Sequence, residues 1–297
     1  MARKDLVDGS NAYKDRKFGD AERLFRDAVA RDPKGEYLEG QTAQLFLART
    51  LHSQYIGDRQ NRAKAEDAIA EYQKALALNP NDQSSYKAIA SLYENLQKSD
   101  DWLKWVTERS NNTSIPPEQR AEALTSLAAK KNSCANDITD TEQTKKTITR
   151  DGKPAFQFVK PANPADYESL KACIQEGMGL IDRALALETP QVKNAGSFDI
   201  KGASDAQLKE MQDLLKVFES ARSYKASLLV QQMRQVEMEG NEAERDRLKT
   251  ESEAARENFL KLSETVKGIQ AEIDERAAAK AAEAPGGAPK PSPDSGS

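Results

Sequence analysis

The stretch Asp67-Ala-Ile-Ala-Glu-Tyr-Gln-Lys-Ala-Leu-Ala-Leu-Asn-Pro-Asn-Asp-Gln-Ser-Ser-Tyr-Lys-Ala-Ile-Ala-Ser-Leu-Tyr93 decides the fold. Ala68, Tyr72, Ala75 and Pro80 stand at offsets of 4, 7 and 12, and Asn79-Pro80 reads as a tight turn. Tyr86, Ile89, Ala90 and Tyr93 then supply a large-x-x-large-small-x-x-large pattern. This spacing predicts the second helix of one helical hairpin, a turn, and the first helix of the next. Small residues let two helices approach, and large ones fill the gap between neighbours.

Toward the N-terminus the same offsets recur at Ala21, Phe25, Ala28 and Pro33, with Gly9 marking a helix crossing and Phe18 the turn before the second helix. Pro33 and Pro80 stand 47 residues apart. A plain repeat of this kind is about 34 residues, so the second repeat carries about 13 more. Leu47-Ala48-x-x-Leu51 fixes its first helix, which divides the excess between residues 34–43 and 54–65.

Toward the C-terminus the third repeat opens at Tyr86 and then departs from pattern. Trp102 and Arg109 occupy places where small residues are usual, which predicts a hairpin that is splayed or packed against something large. Trp102, Trp105 and Val106 form an apolar cluster that is either local core or a hydrophobic docking patch. Ile115-Pro-Pro-Glu starts a fourth hairpin, with Leu124, Leu127 and Ala128 on its inner face. Residues 135–165 interrupt it, and Thr144 to Val159 alternates around Asp151-Gly152, the signal of an inserted β-hairpin. The partner helix is expected over about 166–188, with Gly177, Ile181 and Ala184 in repeat order. Cys134 ends the first helix of this hairpin and Cys173 lies in the second. They are either a disulfide or two buried thiols.

Residues 191–204 read as loop, and Ser204 caps a helix that runs to Glu239. Gly240-Asn241 breaks it. A last helix over about 242–282 carries a narrow seam of Ala255, Phe259, Leu262, Val266, Ile269 and Ile273. It either caps the helical array or forms a homodimeric coiled coil. The expected domains are therefore 1–110, three repeats; 111–190, a degenerate fourth repeat with its insert; 191–283, a C-terminal helical region; and 284–297, a disordered tail rich in Pro and Gly.

Composition bounds the function. Of 297 residues, 31% are charged and 38% hydrophobic, with 44 Lys and Arg against 48 Asp and Glu, so no basic footprint for nucleic acid is present. No apolar run approaches the ~20 residues that span a bilayer. The opening residues lack an apolar signal core, so the chain as written is expected to be cytoplasmic; an upstream signal sequence would make it periplasmic or lipid-anchored. His52 is the single histidine, no phosphate-binding glycine loop occurs, and Gly177-Met-Gly179 lies within an amphipathic helix. Asp100-Asp101 suits a helix first turn. No enzyme activity, cofactor or metal is expected. Asn111-Asn-Thr-Ser114 is read as a polar loop.

Residues Gly9, Phe18, Ala21, Phe25, Ala28 and Pro33, then Ala68 to Pro80, then Tyr86 to Tyr93, resemble the tetratricopeptide repeat family. The layout also resembles repeat proteins of acidobacterial genomes, many of them exported, which implies a bacterial protein. The resemblance implies an all-α fold: an αα solenoid, here with a small β-hairpin insertion and a long C-terminal helix. Its first helices would line a concave groove that binds a protein or peptide partner. Carried onto this sequence, the groove-facing candidates are Tyr13, Lys14, Arg49, His52, Lys87, Glu94 and Asn95. The carboxylate clamp of chaperone adaptors is not matched, because Ser10, Ser84 and Ala88 stand where its Asn, Lys and Arg belong. The expected function is a non-catalytic interaction scaffold. The alternative is an assembly or envelope component that self-associates through its C-terminal helix.

Overall fold

The structure is a computed structural model that describes residues 2–150 and 152–283. The fold is helical, with one small two-stranded hairpin and a long C-terminal helix. It divides into two compact units, the first ending at Arg120 and the second beginning at Ala121.

The first unit is built from consecutive helix pairs: α1 (Ala2–Lys14) with α2 (Phe18–Arg31), α3 (Leu38–Gly57) with α4 (Arg62–Leu78), and α5 (Gln83–Asn95) with α6 (Ser99–Asn111). The repeat is visible in the backbone. The α1–α2 turn places Arg16 at φ 60° and bonds Lys17 N–H to Ala12 O at 2.9 Å. The α5–α6 turn places Gln97 at φ 58° and bonds Lys98 N–H to Tyr93 O at 2.9 Å. Both satisfy the last carbonyls of the first helix with a left-handed residue.

The small-large pattern does what its spacing requires. Ala21, Phe25, Ala28, Ala68, Tyr72 and Ala75 are all buried. A Cβ added at Gly9 would come within 2.8 Å of the Phe25 ring, so only glycine lets α1 lie this close to α2. The excess of the second repeat is absorbed largely as helix: α3 has 20 residues where α1 and α5 have 13. Asp32 anchors the lead-in by accepting the N–H groups of Glu36 and Tyr37, both at 2.9 Å.

Trp102 and Arg109 are accommodated inward. Trp102 and Val106 are buried, and Trp105 stacks on Tyr86 at 5.7 Å while donating to its carbonyl at 3.3 Å. Arg109 lies 4.2 Å over the Tyr86 ring and donates to Gln83 Oε1 at 2.6 Å and to Gln119. The apolar cluster is thus core, and α5 and α6 approach each other less extensively than the earlier pairs.

Helix α7 (Pro117–Thr139) carries the chain into the second unit, followed by β1 (Lys145–Arg150), β2 (Lys153–Phe158) and α8 (Pro164–Leu185). The sequence placed the end of α7 at Cys134; the helix continues to Thr139, which narrows the insert from 135–165 to 140–163. Buried Ala135 and Thr139 hold that extra turn in place. Segment 191–204 also departs from plain loop, since it contains the end of α9 (Pro190–Lys193) and a 3-10 turn, Ala195–Ser197. Helix α10 (Asp205–Met238) starts from a capping box of Ser204 and Gln207. Leu262, Val266 and Ile269 of α11 (Glu242–Glu283) are buried in one cluster with Leu208, Leu215 and Phe218 of α10, Leu124 of α7 and Ile181 of α8. The seam of the last helix is therefore filled from within its own unit. Cys134 and Cys173 are bonded, with Cα atoms 6.2 Å apart, beside Phe158, Tyr167 and Leu170. The expected tail, 284–297, lies outside the described residues. Among the described residues no helix is long and apolar enough to cross a membrane.

Candidate functional site

The candidate face in the first unit is a row of side chains on α1, α3 and α5. Along α3, Phe46, Arg49 and Ser53 fall on one stripe at helical spacing. Tyr13, in the last turn of α1, stands edge-on to Phe18 at 5.5 Å and to Phe46 at 5.9 Å, and its hydroxyl meets Ser53 Oγ at 3.1 Å. The Arg49 guanidinium lies 5.4 Å over Phe46, and its Nη2 donates to Ser84 Oγ of α5 at 3.2 Å. Ser84 is held in turn by the N-cap Asp82, whose carboxylate accepts its hydroxyl at 2.8 Å. The row therefore ties three consecutive repeats together through half-buried polar and aromatic groups.

His52 completes it from the next position on α3. Its Nδ1 lies 3.3 Å from the Tyr72 hydroxyl and the two rings meet edge to face at 5.9 Å. Burial, and then the positive charge of Arg59, pull the imidazole pKa below 6.5, so the ring is neutral at pH 7. Burial likewise pushes the Tyr72 hydroxyl well above its usual range, against the opposing pull of Arg49. The face thus offers aromatic edges, a neutral imidazole and a partly exposed guanidinium. These groups suit hydrogen bonding and carboxylate recognition.

Of the expected site residues, Tyr13, Arg49 and His52 come together here. Lys14 on α1 and Lys87, Glu94 and Asn95 on α5 are exposed, and Asn95 donates to Ser91 Oγ at 3.4 Å. Phe46, Ser53 and Ser84 were not anticipated, although the i, i+3, i+7 stripe through Arg49 contains two of them. Tyr72 was read only as core. Its hydroxyl reaches His52 while the ring stays buried, which spacing alone does not report.

The second unit holds a cleft of ≈ 1070 Å³ between the 185–200 segment, α10 and α11. Leu185, Phe198, Ile200 and Leu262 supply its apolar surface. Its inner cation, Arg222, is occupied by a two-point pair with Glu188 at 2.8 and 3.1 Å. Among the described residues no three His, Cys, Asp or Glu side chains gather as a metal site.

No protein-family model and no curated protein matches the chain. A solved structure, a tetratricopeptide repeat protein from Parabacteroides merdae ATCC 43184, is similar over 91% of this chain and 98% of its own, at 11% identity and a TM-score of 0.34. The helix pairs and repeated turns, not this likeness, define the fold described above.

Proposed function

We propose that the protein is a non-catalytic scaffold of the tetratricopeptide type that binds a protein or peptide partner along the face formed by α1, α3 and α5. One observation carries the proposal. Tyr13 of α1, Phe46, Arg49 and His52 of α3, and Ser84 of α5 come from three helices yet form one row, and they keep part of their surface open. A row that joins repeats without being sealed by them can meet a chain lying across those repeats.

Arg49 sets the partner chemistry. Its guanidinium uses one N–H on Ser84 and stacks on Phe46, which orients the remaining donors toward a carboxylate or a backbone carbonyl. The bonded Cys134–Cys173 pair is in keeping with an oxidising compartment.

The test is site-specific photo-cross-linking from position 46 in the full chain. A discrete adduct in cells, lost when Arg49→Glu is added and kept when the exposed Lys104→Glu is added instead, is the expected result. An adduct that is indifferent to Arg49→Glu, or none at all, would remove this face as the binding surface.

A further inference from the structure

We propose that the open edge of β1 is a docking strand for an extended, acidic segment of a partner protein. This inference concerns the second unit and does not rest on the face described above.

The hairpin is an arm with a fixed base. Val159 N–H donates to Thr144 O at 2.9 Å, the Thr144 hydroxyl lies within 2.9 Å of Ile138 O, and Phe158 is buried under the Arg234 guanidinium at 4.7 Å. Beyond that base the arm is solvated. Lys146, Thr147, Thr149, Lys153, Pro154, Phe156 and Gln157 are exposed, Phe156 to 53%.

The register makes the two edges unequal. Val159 and Thr144 form a hydrogen-bonded pair, so the alternation of an antiparallel ladder makes Lys146 with Gln157 and Ile148 with Ala155 bonded pairs as well. Lys145, Thr147 and Thr149 on β1, and Pro154, Phe156 and Phe158 on β2, then turn their backbone groups outward. On β2, Pro154 has no N–H to offer and α10 packs near the strand, so that edge is the poorer template. On β1, the Lys145 N–H is taken by Thr141 O at 2.8 Å, while the ladder alternation turns the backbone groups of Thr147 and Thr149 away from β2. Six residues of strand present about 20 Å of such an edge.

Charge selects what adds to it. Residues 140–160 carry Lys145, Lys146, Arg150, Lys153 and Lys160 against Asp140, Glu142 and Asp151, a net positive arm in a chain whose net charge is −4. Lys145 is paired with Asp140 at 2.6 Å and Lys146 donates to the Glu142 carbonyl at 2.7 Å, so both ammonium groups are held at the base of β1. Lysine on an exposed edge deters pairing with a neutral or basic strand. The same lysines attract a strand that carries carboxylates at alternate positions, because opposite charges directly across a ladder stabilise it. Thr147, Ile148 and Thr149 are β-branched, which suits an edge that must stay extended until it is covered. Nucleic acid or a lipid surface would use the charges but not the outward amides, so an extended acidic peptide is the occupant that satisfies both.

The experiment uses the full, oxidised chain and fluorescence anisotropy of a labelled octapeptide of alternating glutamate and threonine. Saturable binding is expected, with Lys146→Glu and Thr147→Pro each weakening it about tenfold, or about 1.4 kcal/mol. Thr147→Pro deletes an outward N–H and also restricts the backbone at 146–147, so a retained disulfide and far-ultraviolet dichroism are required to verify its fold. A second probe with the same charges but methylated amides on one edge is expected to bind at least as weakly as the variants allow, and it needs no mutation. Failure of the wild-type chain to bind, equal binding of the methylated probe, or a heparin fragment that binds more tightly and ignores Thr147→Pro would each overturn the assignment.

Discussion

His52 Nδ1 lies 3.3 Å from the Tyr72 hydroxyl, at the centre of the row that links α1, α3 and α5. Burial and Arg59 lower the imidazole pKa in the folded chain below its unfolded 6.5. The unfolded chain therefore takes up this proton first, and the stability that depends on a neutral ring is present above pH 6.5 and drains away as pH falls below it. Urea midpoints measured between pH 7.5 and 5 are expected to fall more for the wild type than for His52→Gln. Parallel curves would show that the ring titrates as an ordinary surface histidine.

Glu22 predicts a second, more acidic window. Burial alone would raise its pKa, but hydrogen bonds from Lys64, Gln54 and Arg26 together bring it from 4.5 to about 2. A carboxylate with a depressed folded pKa stabilises the fold above its unfolded value, and that contribution is lost as pH drops from 4.5 toward 2. Since the pairs are partly exposed, the contribution is about 1 kcal/mol. The difference in urea stability between pH 6 and pH 3 is expected to shrink by about that amount in Glu22→Gln. An unchanged difference would mean that the Lys64 pair contributes nothing in solution.

Two glycines in adjacent helices predict opposite signs. Gly9→Ala drives a methyl to within 2.8 Å of the buried Phe25 ring and is expected to destabilise by about 1–3 kcal/mol. Gly19→Ala in α2 meets nothing within 4 Å and is expected to stabilise by a few tenths up to about 1 kcal/mol. Thermal denaturation of both variants checks the pair. A neutral Gly9→Ala would mean that α1 and α2 are not packed this closely.

The Cys134–Cys173 bond closes a loop of sequence separation 39. In the chain-entropy account such a loop contributes about 3–4 kcal/mol, so Cys134→Ala with Cys173→Ala is expected to lose about that much. Titration of thiols in denaturant without reductant is expected to find almost none in protein matured under oxidising conditions. Two free thiols would leave the pair as buried neighbours only.

Local spacing made much of the helical framework legible. The offsets at Ala68, Tyr72, Ala75 and Pro80 are set by how close two helices can pack, and that constraint acts within about thirty residues. The β-hairpin was legible for the same reason, because alternation around Asp151-Gly152 reflects one ladder and one turn. Helix ends were less so: α7 runs on to Thr139 because Ala135 and Thr139 are buried by neighbours distant in sequence. Of the candidate site, Tyr13, Arg49 and His52 were carried over from the repeat-family resemblance, whereas Ser84 and the Tyr72 hydroxyl enter through contacts between helices.

The sequence by itself thus determined where the long helices lie, where the array is interrupted and which residues of the first two repeats face inward, since each depends on short-range periodicity and turn chemistry. Only the tertiary structure decided how those pieces are used. It buried Trp102 and set Arg109 over the Tyr86 ring, making both core, and it filled the seam of α11 with α10. At the hairpin it packed α10 near β2, the strand that carries Pro154. Each of those outcomes depends on which surfaces meet after the helices form, and packing between distant segments leaves no periodic mark in the chain.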